Sequence, residues 1–437
     1  MVDPDAEGCP PERRRELQRG RLRELIDRLL AAGGLQAERL IAAGVATGAD
    51  VGLSELSKLP TVTKRDLWEH YPWGLLAAPK RDIVCIHGSS GTGGRPTLIP
   101  YTAVDIAIWA EVMARALGGA GATRHSVIQV AYGYGLFTGG LGAHHGGMRL
   151  GATVLPMSAG ATERQLRVLA DLRPDILCCT PSYAIHLGEA LRASGAGECS
   201  LVAGVFGAEA WTEQMRAQIQ RLLGLRALDI YGLSEIVGPG VACESIDSAG
   251  MLNVAEDHFL VEAIDAEGNP VPDGRPGELV FSTLTKTGMP LLRYRTGDVA
   301  ALAGPAEGSP RTLRRMSKLL GRRDDMLVVR GVNVFPTEIE AVLLADAGVS
   351  PHYLIIDDRR HPARAELRVA VEAMTTSVDP EALGQRLAAG LRARLGIGCL
   401  VHVVAPGTVP RAEVGKARRV QRWAEGSIPG EPWRGLL

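Results

Sequence analysis

The chain is poor in several things. Aromatic residues make up only 4% of its 437 positions, which argues against a stacking platform for single-stranded nucleic acid. Net charge is scarce too: 48 Lys and Arg face 49 Asp and Glu, a balance of -1. That excludes a basic genome-coating protein and a charged disordered tail. Seven cysteines at irregular spacing, with no CxxC pair, make a disulfide framework improbable and favour a reducing compartment. No run of 18 apolar residues occurs, so no membrane-spanning helix is expected. The N-terminal stretch has no apolar core of the signal-peptide kind, and a cytoplasmic location is the expectation. Lysine is rare: six lysines stand against 42 arginines. That bias reads as a GC-rich coding habit, and it makes each lysine worth a question.

What remains is an ordinary globular composition, 46% hydrophobic and 22% charged, long enough for two or three domains. Residues 12–32 read as an amphipathic helix. Leu17, Leu22, Leu25, Ile26, Leu29 and Leu30 recur at helical spacing, arginines form a solvated face, and Gly33-Gly34 stops it. From about residue 83, short apolar runs end in glycine-rich turns and alternate with helices. Runs at 83–90, 125–135, 151–157, 174–182, 201–209 and 225–235 read as buried strands. Segments 104–117, 162–172 and 212–225 read as helices. The pattern predicts an α/β domain with a largely parallel sheet, whose sites lie where strand ends meet loops. Residues 252–301 read as antiparallel strands. From 326 onward a hairpin, a helix at 336–346, strands at 352–358 and 366–373, a helix at 380–396 and a final strand at 399–406 predict a compact α+β unit. The tail beyond Trp423 reads as loosely ordered.

Five motifs carry chemistry. Ser89, Ser90, Gly91, Thr92, Gly93, Gly94, Arg95, Pro96 and Thr97 pack hydroxyls and glycines after an apolar strand, a composition that lets backbone N–H groups approach phosphate oxygens. The run is neither a Walker A loop nor GxGxxG, and by itself also fits a surface turn. Tyr231-Gly232-Leu233-Ser234-Glu235 ends in a carboxylate that suits a phosphate-bridging Mg²⁺, or equally a capped helix start. Arg293–Asp298 offers an Asp able to accept from a ribose diol. Gly321–Asp325 leads into Val329–Asn333. Val414-Gly415-Lys416 keeps a lysine in a chain that otherwise writes arginine, where a compact point charge is wanted.

In this order the motifs resemble those of the adenylate-forming superfamily of acyl-CoA synthetases and adenylation domains, most of all the phenylacetate–CoA ligase family. The resemblance runs through 89–97, 132–142, 207–209, 231–240, 256–258, 293–298, 321–340 and Gly415-Lys416. It implies an α/β fold: an N-terminal core over 1–322, with mainly parallel sheets and a small antiparallel, barrel-like part, and a small mobile α+β domain over 323–437. It also implies two half-reactions. A carboxylate attacks ATP to give an acyl adenylate and pyrophosphate, and a thiol then displaces AMP. By the resemblance, Ser89, Ser90, Gly91, Thr92, Gly93 and Arg95 wrap the phosphates, and Thr92 and Glu235 hold Mg²⁺. Gly207, Ala208, Glu209, Tyr231, Gly232 and Ser234 flank the nucleotide. Asp298 takes the ribose, Arg322 reaches ribose or phosphate, and Lys416 bridges carboxylate and α-phosphate. Asp324 matches the hinge, and Arg330 and Gly331 line the channel for the thiol of coenzyme A. Gly93 and Arg95 depart from the family's Thr and Lys, and Val414 from its Ser or Thr.

The acyl pocket implied is Tyr132, Tyr134, Phe137, Gly207, Tyr231, Gly232, Ile236 and Pro239, with Phe137 a candidate for stacking on a ring or for core packing. The substrate class is a small aromatic acid: phenylacetate, benzoate, or an amino- or hydroxybenzoate. Coenzyme A or the pantetheine arm of a carrier protein is the acceptor, with no nucleic acid or membrane partner, and the resemblance points to a homodimer. A non-catalytic nucleotide-binding protein on the same fold is the third reading, opposed by the intact Glu235, Asp298 and Lys416. A structural zinc near Cys243 and His258 is disfavoured, because such sites take four ligands and Asn253 stands where a histidine is frequent.

Overall fold

The computed structural model describes residues 1–89, 97–195, 199–248, 250–323, 326–329, 332–360, 366–411 and 419–424. The chain divides into two compact units. One holds Met1–Cys179, Glu198–Ala208 and Leu225–Leu319; the other holds Thr180–Gly197, Glu209–Gly224 and Leu320–Leu437.

The first unit is built on one large mixed sheet. Thr153–Pro156, Val127–Val130, Ile176–Cys179, Ala203–Gly207 and Arg226–Leu233 run parallel. These strands read as near-continuous apolar runs because both faces are covered; all four residues of Ile176–Cys179 are buried. The antiparallel strands Gly238–Cys243, Met251–Val254, Arg315–Ser317, Tyr294–Ala303, Pro276–Thr283 and Phe259–Ile264 continue this same sheet. In Tyr294–Ala303 burial alternates residue by residue, the period-two signature of a strand with one wetter face.

Three expectations change here. The run at 83–90 is not part of the main sheet: Ile83–Ser89 pairs antiparallel with Thr97–Thr102 as a separate two-stranded ribbon. Residues 90–96 of the glycine- and hydroxyl-rich run lie outside the described residues. The N-terminal helix, Pro11–Ala32, forms as expected and ends at Gly33 (φ 74°). Its Leu22, Leu25, Ile26 and Leu29 pack on Leu284 and Leu292. Leu17, however, is exposed. Arg14 is not on a solvated face. It is buried and donates to the Thr312 carbonyl at 2.5 Å and to Thr312 Oγ1 at 2.8 Å, since a planar fork can be buried when its donors are met.

The second unit contains helices Pro181–Ala193, Glu213–Leu223, Pro336–Leu343 and Pro380–Leu395. Its sheet orders Cys399–Val404, Glu366–Ala373, Val349–Arg359 and Val420–Ala424. The strand at Cys399–Val404 is thus not the last: Val420–Ala424 follows and pairs parallel with Val349–Arg359. Leu383, Leu387 and Leu391, at i, i+4 and i+8, place one helix face on the core with Ile355, Val369 and Val371.

Candidate active site

The sequence-predicted turn at Tyr231–Glu235 is where the parallel and antiparallel parts of the sheet meet. Arg226–Leu233 turns through residues 234–237 into Gly238–Cys243, so Glu235 sits on a hairpin turn and not at a helix start. Two glycines permit this. A side chain on Gly232 would stand 1.9 Å from the Gly238 carbonyl. Gly238 has φ 103° and leaves room for Trp109, 2.7 Å from where its Cβ would be.

The turn is held from three sides. Tyr101 donates its hydroxyl to the Ser234 carbonyl at 3.0 Å. Thr138 Oγ1 lies 3.3 Å from Ser234 Oγ. Lys286 Nζ donates to the Glu235 carbonyl at 3.0 Å and stands 5.0 Å above the Tyr101 ring. Glu235 itself is 4% exposed and Lys286 2%. Burial draws the Lys286 ammonium down to about 8, against the opposing pull of Asp105 and Glu235. Asp298 is brought to the same strand: Tyr231, stacked on Phe281, donates its hydroxyl to Asp298 Oδ2 at 2.8 Å.

The aromatic segment after Val127–Val130 docks beside this turn. The Leu136 carbonyl accepts from the Gly88 N–H at 2.8 Å and lies 3.1 Å from His87 Nδ1. This ties the segment to the ribbon carrying Ser89. Tyr132 is buried with its hydroxyl 3.3 Å from the Val205 carbonyl. Tyr134 reaches His144 Nδ1 at 3.3 Å. Trp109 donates to the Pro239 carbonyl at 3.1 Å. His87, Trp109 and His145 stand edge to face at 5.3 and 5.9 Å. Burial lowers both histidines and favours their neutral forms. Ile236 is wholly buried, whereas Phe137 is 51% exposed and ends the loop before helix Thr138–Leu150.

Gly207 ends strand Ala203–Gly207, where a Cβ would meet the Ile230 carbonyl at 2.3 Å. Ala208 follows at φ 71°, a left-handed conformation uncommon for a residue with a side chain and of the kind found at functional sites. Glu209 has a structural partner within the second unit, its Oε1 accepting from the Ser182 N–H at 2.7 Å, at the N-terminal turn of helix Pro181–Ala193, where carboxylates are favoured. Arg322 is half-buried in strand Gly321–Arg322. Ser90, Gly91, Thr92, Gly93, Arg95, Asp324, Arg330, Gly331 and Lys416 lie outside the described residues.

Cys243 and His258 have separate partners. The Cys243 thiol, raised well above its ordinary range by burial, donates to the Glu244 carbonyl at 3.1 Å. His258 Nδ1 lies 2.7 Å from Thr285 Oγ1. Its Nε2 lies 3.2 Å from Asp257 and 3.6 Å from Glu111. Among the described residues this is one group of three metal-ligand side chains, but arginine fills it. Arg115 forks onto both Asp257 oxygens at 2.9 and 3.0 Å and also bonds Glu111. The cluster is an ion-pair network. Sequence reading missed His87 and Lys286. Lysine rarity was a usable signal for the second, although it did not say which lysine.

Comparison with known proteins places the chain in a family. The AMP-binding enzyme family model matches residues 37–286, and the AMP-binding enzyme C-terminal domain model matches 331–422. The chain is 44% identical to a phenylacetate-coenzyme A ligase of Thermus thermophilus, over 96% of this chain and 99% of that one. It is 46% identical to the phenylacetate-coenzyme A ligase of Escherichia coli K12, over 84% and 85%. A crystal structure of 2-hydroxyisobutyryl-CoA ligase in the postadenylation state superimposes with a TM-score of 0.89 at 27% identity, covering 96% of this chain and 91% of that one. The chain belongs to the AMP-binding enzyme family and, within it, to the phenylacetate–CoA ligases. Among the described residues no helix is long and apolar enough to cross a membrane.

Proposed function

With that membership as the premise, we propose that the protein activates a small aromatic carboxylic acid, of the phenylacetate or substituted benzoate type, with ATP and transfers the acyl group to coenzyme A. The observation that carries the reading is identity of 44% along essentially the whole of both chains, joined to the Tyr231–Asp298 hydrogen bond on the strand that leads into the buried turn carrying Glu235.

The chemistry asks for positioning and charge control more than for a protein nucleophile. The substrate carboxylate is already ionised at neutral pH, so no general base is needed. It attacks the α-phosphorus of ATP and pyrophosphate leaves; the thiol of coenzyme A then attacks the acyl carbon and AMP leaves. Asp298, oriented by Tyr231, accepts from the ribose diol. The backbone at Gly207 and Ala208 flanks the base, and Tyr132, Tyr134, Tyr231, Ile236 and Pro239 wall the acyl group. Lys416 places a point charge between carboxylate and α-phosphate, where negative charge accumulates. One buried carboxylate, Glu235, fits Mg²⁺, which is held by one or two carboxylates while substrate phosphates and water complete its shell. When bound, the ion neutralises phosphate charge.

The division into a core over 1–322 and a mobile domain over 323–437, hinged at Asp324, belongs to the same proposal. The domain's rotation removes Lys416 after adenylation and brings Arg330 and Gly331 to the thiol path. This gates the two half-reactions without accelerating either.

The test is substrate-dependent exchange of pyrophosphate into ATP across a panel of aryl acids, followed by product analysis with coenzyme A and with a pantetheinylated carrier protein. Exchange with a phenylacetate-type acid and a CoA thioester product are expected. Absence of exchange with every acid, or thioester formed only on the carrier protein, would overturn the reading.

A further inference from the structure

We propose that Lys286 is a positioning residue of the nucleotide site: its buried ammonium fixes the main chain at Glu235 and so sets where the Glu235 carboxylate points. The inference rests on the proposed function for its meaning but not for its measurement.

The lysine is itself immobilised. Its own carbonyl accepts from Arg28 Nη1 at 3.1 Å. The next two residues are fixed by Asp105, whose oxygens accept from the Thr287 N–H at 2.6 Å and the Gly288 N–H at 2.9 Å. The same carboxylate caps its own helix by accepting from the Thr102 N–H at 2.9 Å. A side chain on Gly288 would stand 2.7 Å from Asp105 Oδ2, so the approach depends on glycine. The ammonium is therefore delivered from a rigid segment anchored to the start of helix Ala103–Gly119.

Its target is equally specific. Nζ meets the Glu235 carbonyl, and the Tyr101 ring beneath it spends its hydroxyl on the adjacent Ser234 carbonyl. Two consecutive carbonyls of the turn are thus pinned by one cation and the ring under it. An ammonium buried in this way costs desolvation unless negative charge stands near. Asp105 and Glu235 supply that charge. Packing alone would be met by methionine at this volume, so the positive charge asks for an explanation beyond core filling.

The experiment uses the full chain and the variants Lys286→Met, Tyr101→Phe, Glu235→Gln and the double variant Lys286→Met with Glu235→Gln. ATP affinity is measured by calorimetry with Mg²⁺ and no acid, and KM values for ATP and for the acid are measured by exchange. Lys286→Met is expected to weaken ATP binding and raise the KM for ATP by roughly tenfold, as expected for loss of a charged hydrogen bond, with the KM for the acid within about twofold. Tyr101→Phe should move the same quantities in the same direction by about threefold, and decides the matter if the methionine variant does not fold. In the Glu235→Gln background Lys286→Met should add less than about twofold, the mark of two residues acting as one unit.

Unchanged ATP affinity in the folded variants, equal losses for both substrates, or additive losses in the double variant would overturn the proposal. Absence of exchange by the unaltered protein would count against the proposed function instead, since ATP binding is read without the acid.

Discussion

The Tyr231 hydroxyl donates to Asp298 Oδ2 at 2.8 Å across 67 residues of sequence, with both side chains buried. A carboxylate in that setting needs its lone pairs met, because a buried acceptor left unpaired costs about 1–3 kcal/mol. Tyr231→Phe removes one donor and changes little else. The expected outcome is a KM for ATP raised roughly five- to tenfold, with a lowered melting temperature. Asp298→Asn should lose more. A phenylalanine variant whose KM for ATP matches the unaltered protein would remove Tyr231 from the ribose site.

Lys416 tests the two-step reading. Lys416→Ala should depress adenylation by at least about a hundredfold, the scale seen on loss of a transition-state charge contact. Thioester formation from supplied acyl adenylate should fall by less than about threefold. Single-turnover measurements of each half-reaction separate the two. Equal losses in both would contradict a rotation that takes the lysine away between steps.

Gly142 tests the aromatic wall. A Cβ there would stand 2.7 Å from Trp109 Cζ2 and 2.8 Å from Pro239 Cγ. Gly142→Ala must therefore displace the indole or the proline, at a cost of about 1–3 kcal/mol for overpacking. Exchange kinetics should show the KM for the aryl acid rising while the KM for ATP stays within twofold. The reverse pattern would detach Pro239 from the proposed acyl pocket.

The Arg115 network predicts an acid-sensitive step in stability. Burial alone would raise the Asp257 carboxyl, but His258 beside it and the Arg115 fork outweigh burial and hold it at about 2. Glu111 is also held at about 2, chiefly by His258 and then by Arg115, against its own burial. Both folded values lie below the unfolded range near 4. Their stabilisation is therefore present in full above about pH 5 and is lost as the pH falls from there through about 2. For Asp257 the expected loss is about 2 kcal/mol. Urea midpoints of the unaltered protein and Asp257→Asn should differ clearly at pH 6, by about half as much at pH 3, and converge only below about pH 2. A gap that stays constant with pH would refute the assignment.

Much of the candidate site was legible because its residues stand in short local runs. Tyr231, Ser234, Glu235 and Asp298 are recognisable by residue type and order, and the structure gathers them. Glu209 shows the limit of that reading: a motif position was legible, yet its carboxylate caps a helix. Phe137 was chosen for scarcity, yet it is half exposed, because its place at a helix entry leaves one face in solvent. The run before Ser89 read as a strand of the main sheet, since an apolar run does not say which strand it will pair with. Pairing is decided by contacts that are distant in sequence.

By itself the sequence determined the candidate motifs and their order, the alternation of strands and helices, and the family. These depend on residue type and local periodicity, which need no partner. Tertiary structure alone decided that Lys286, 51 residues from Glu235, would deliver its ammonium to that turn, that Tyr231 would face Asp298, and that Arg14 and Arg115 would be buried. In each case the deciding quantity is whether a polar group removed from water finds its partner, and those partners are set by packing between elements far apart in the chain.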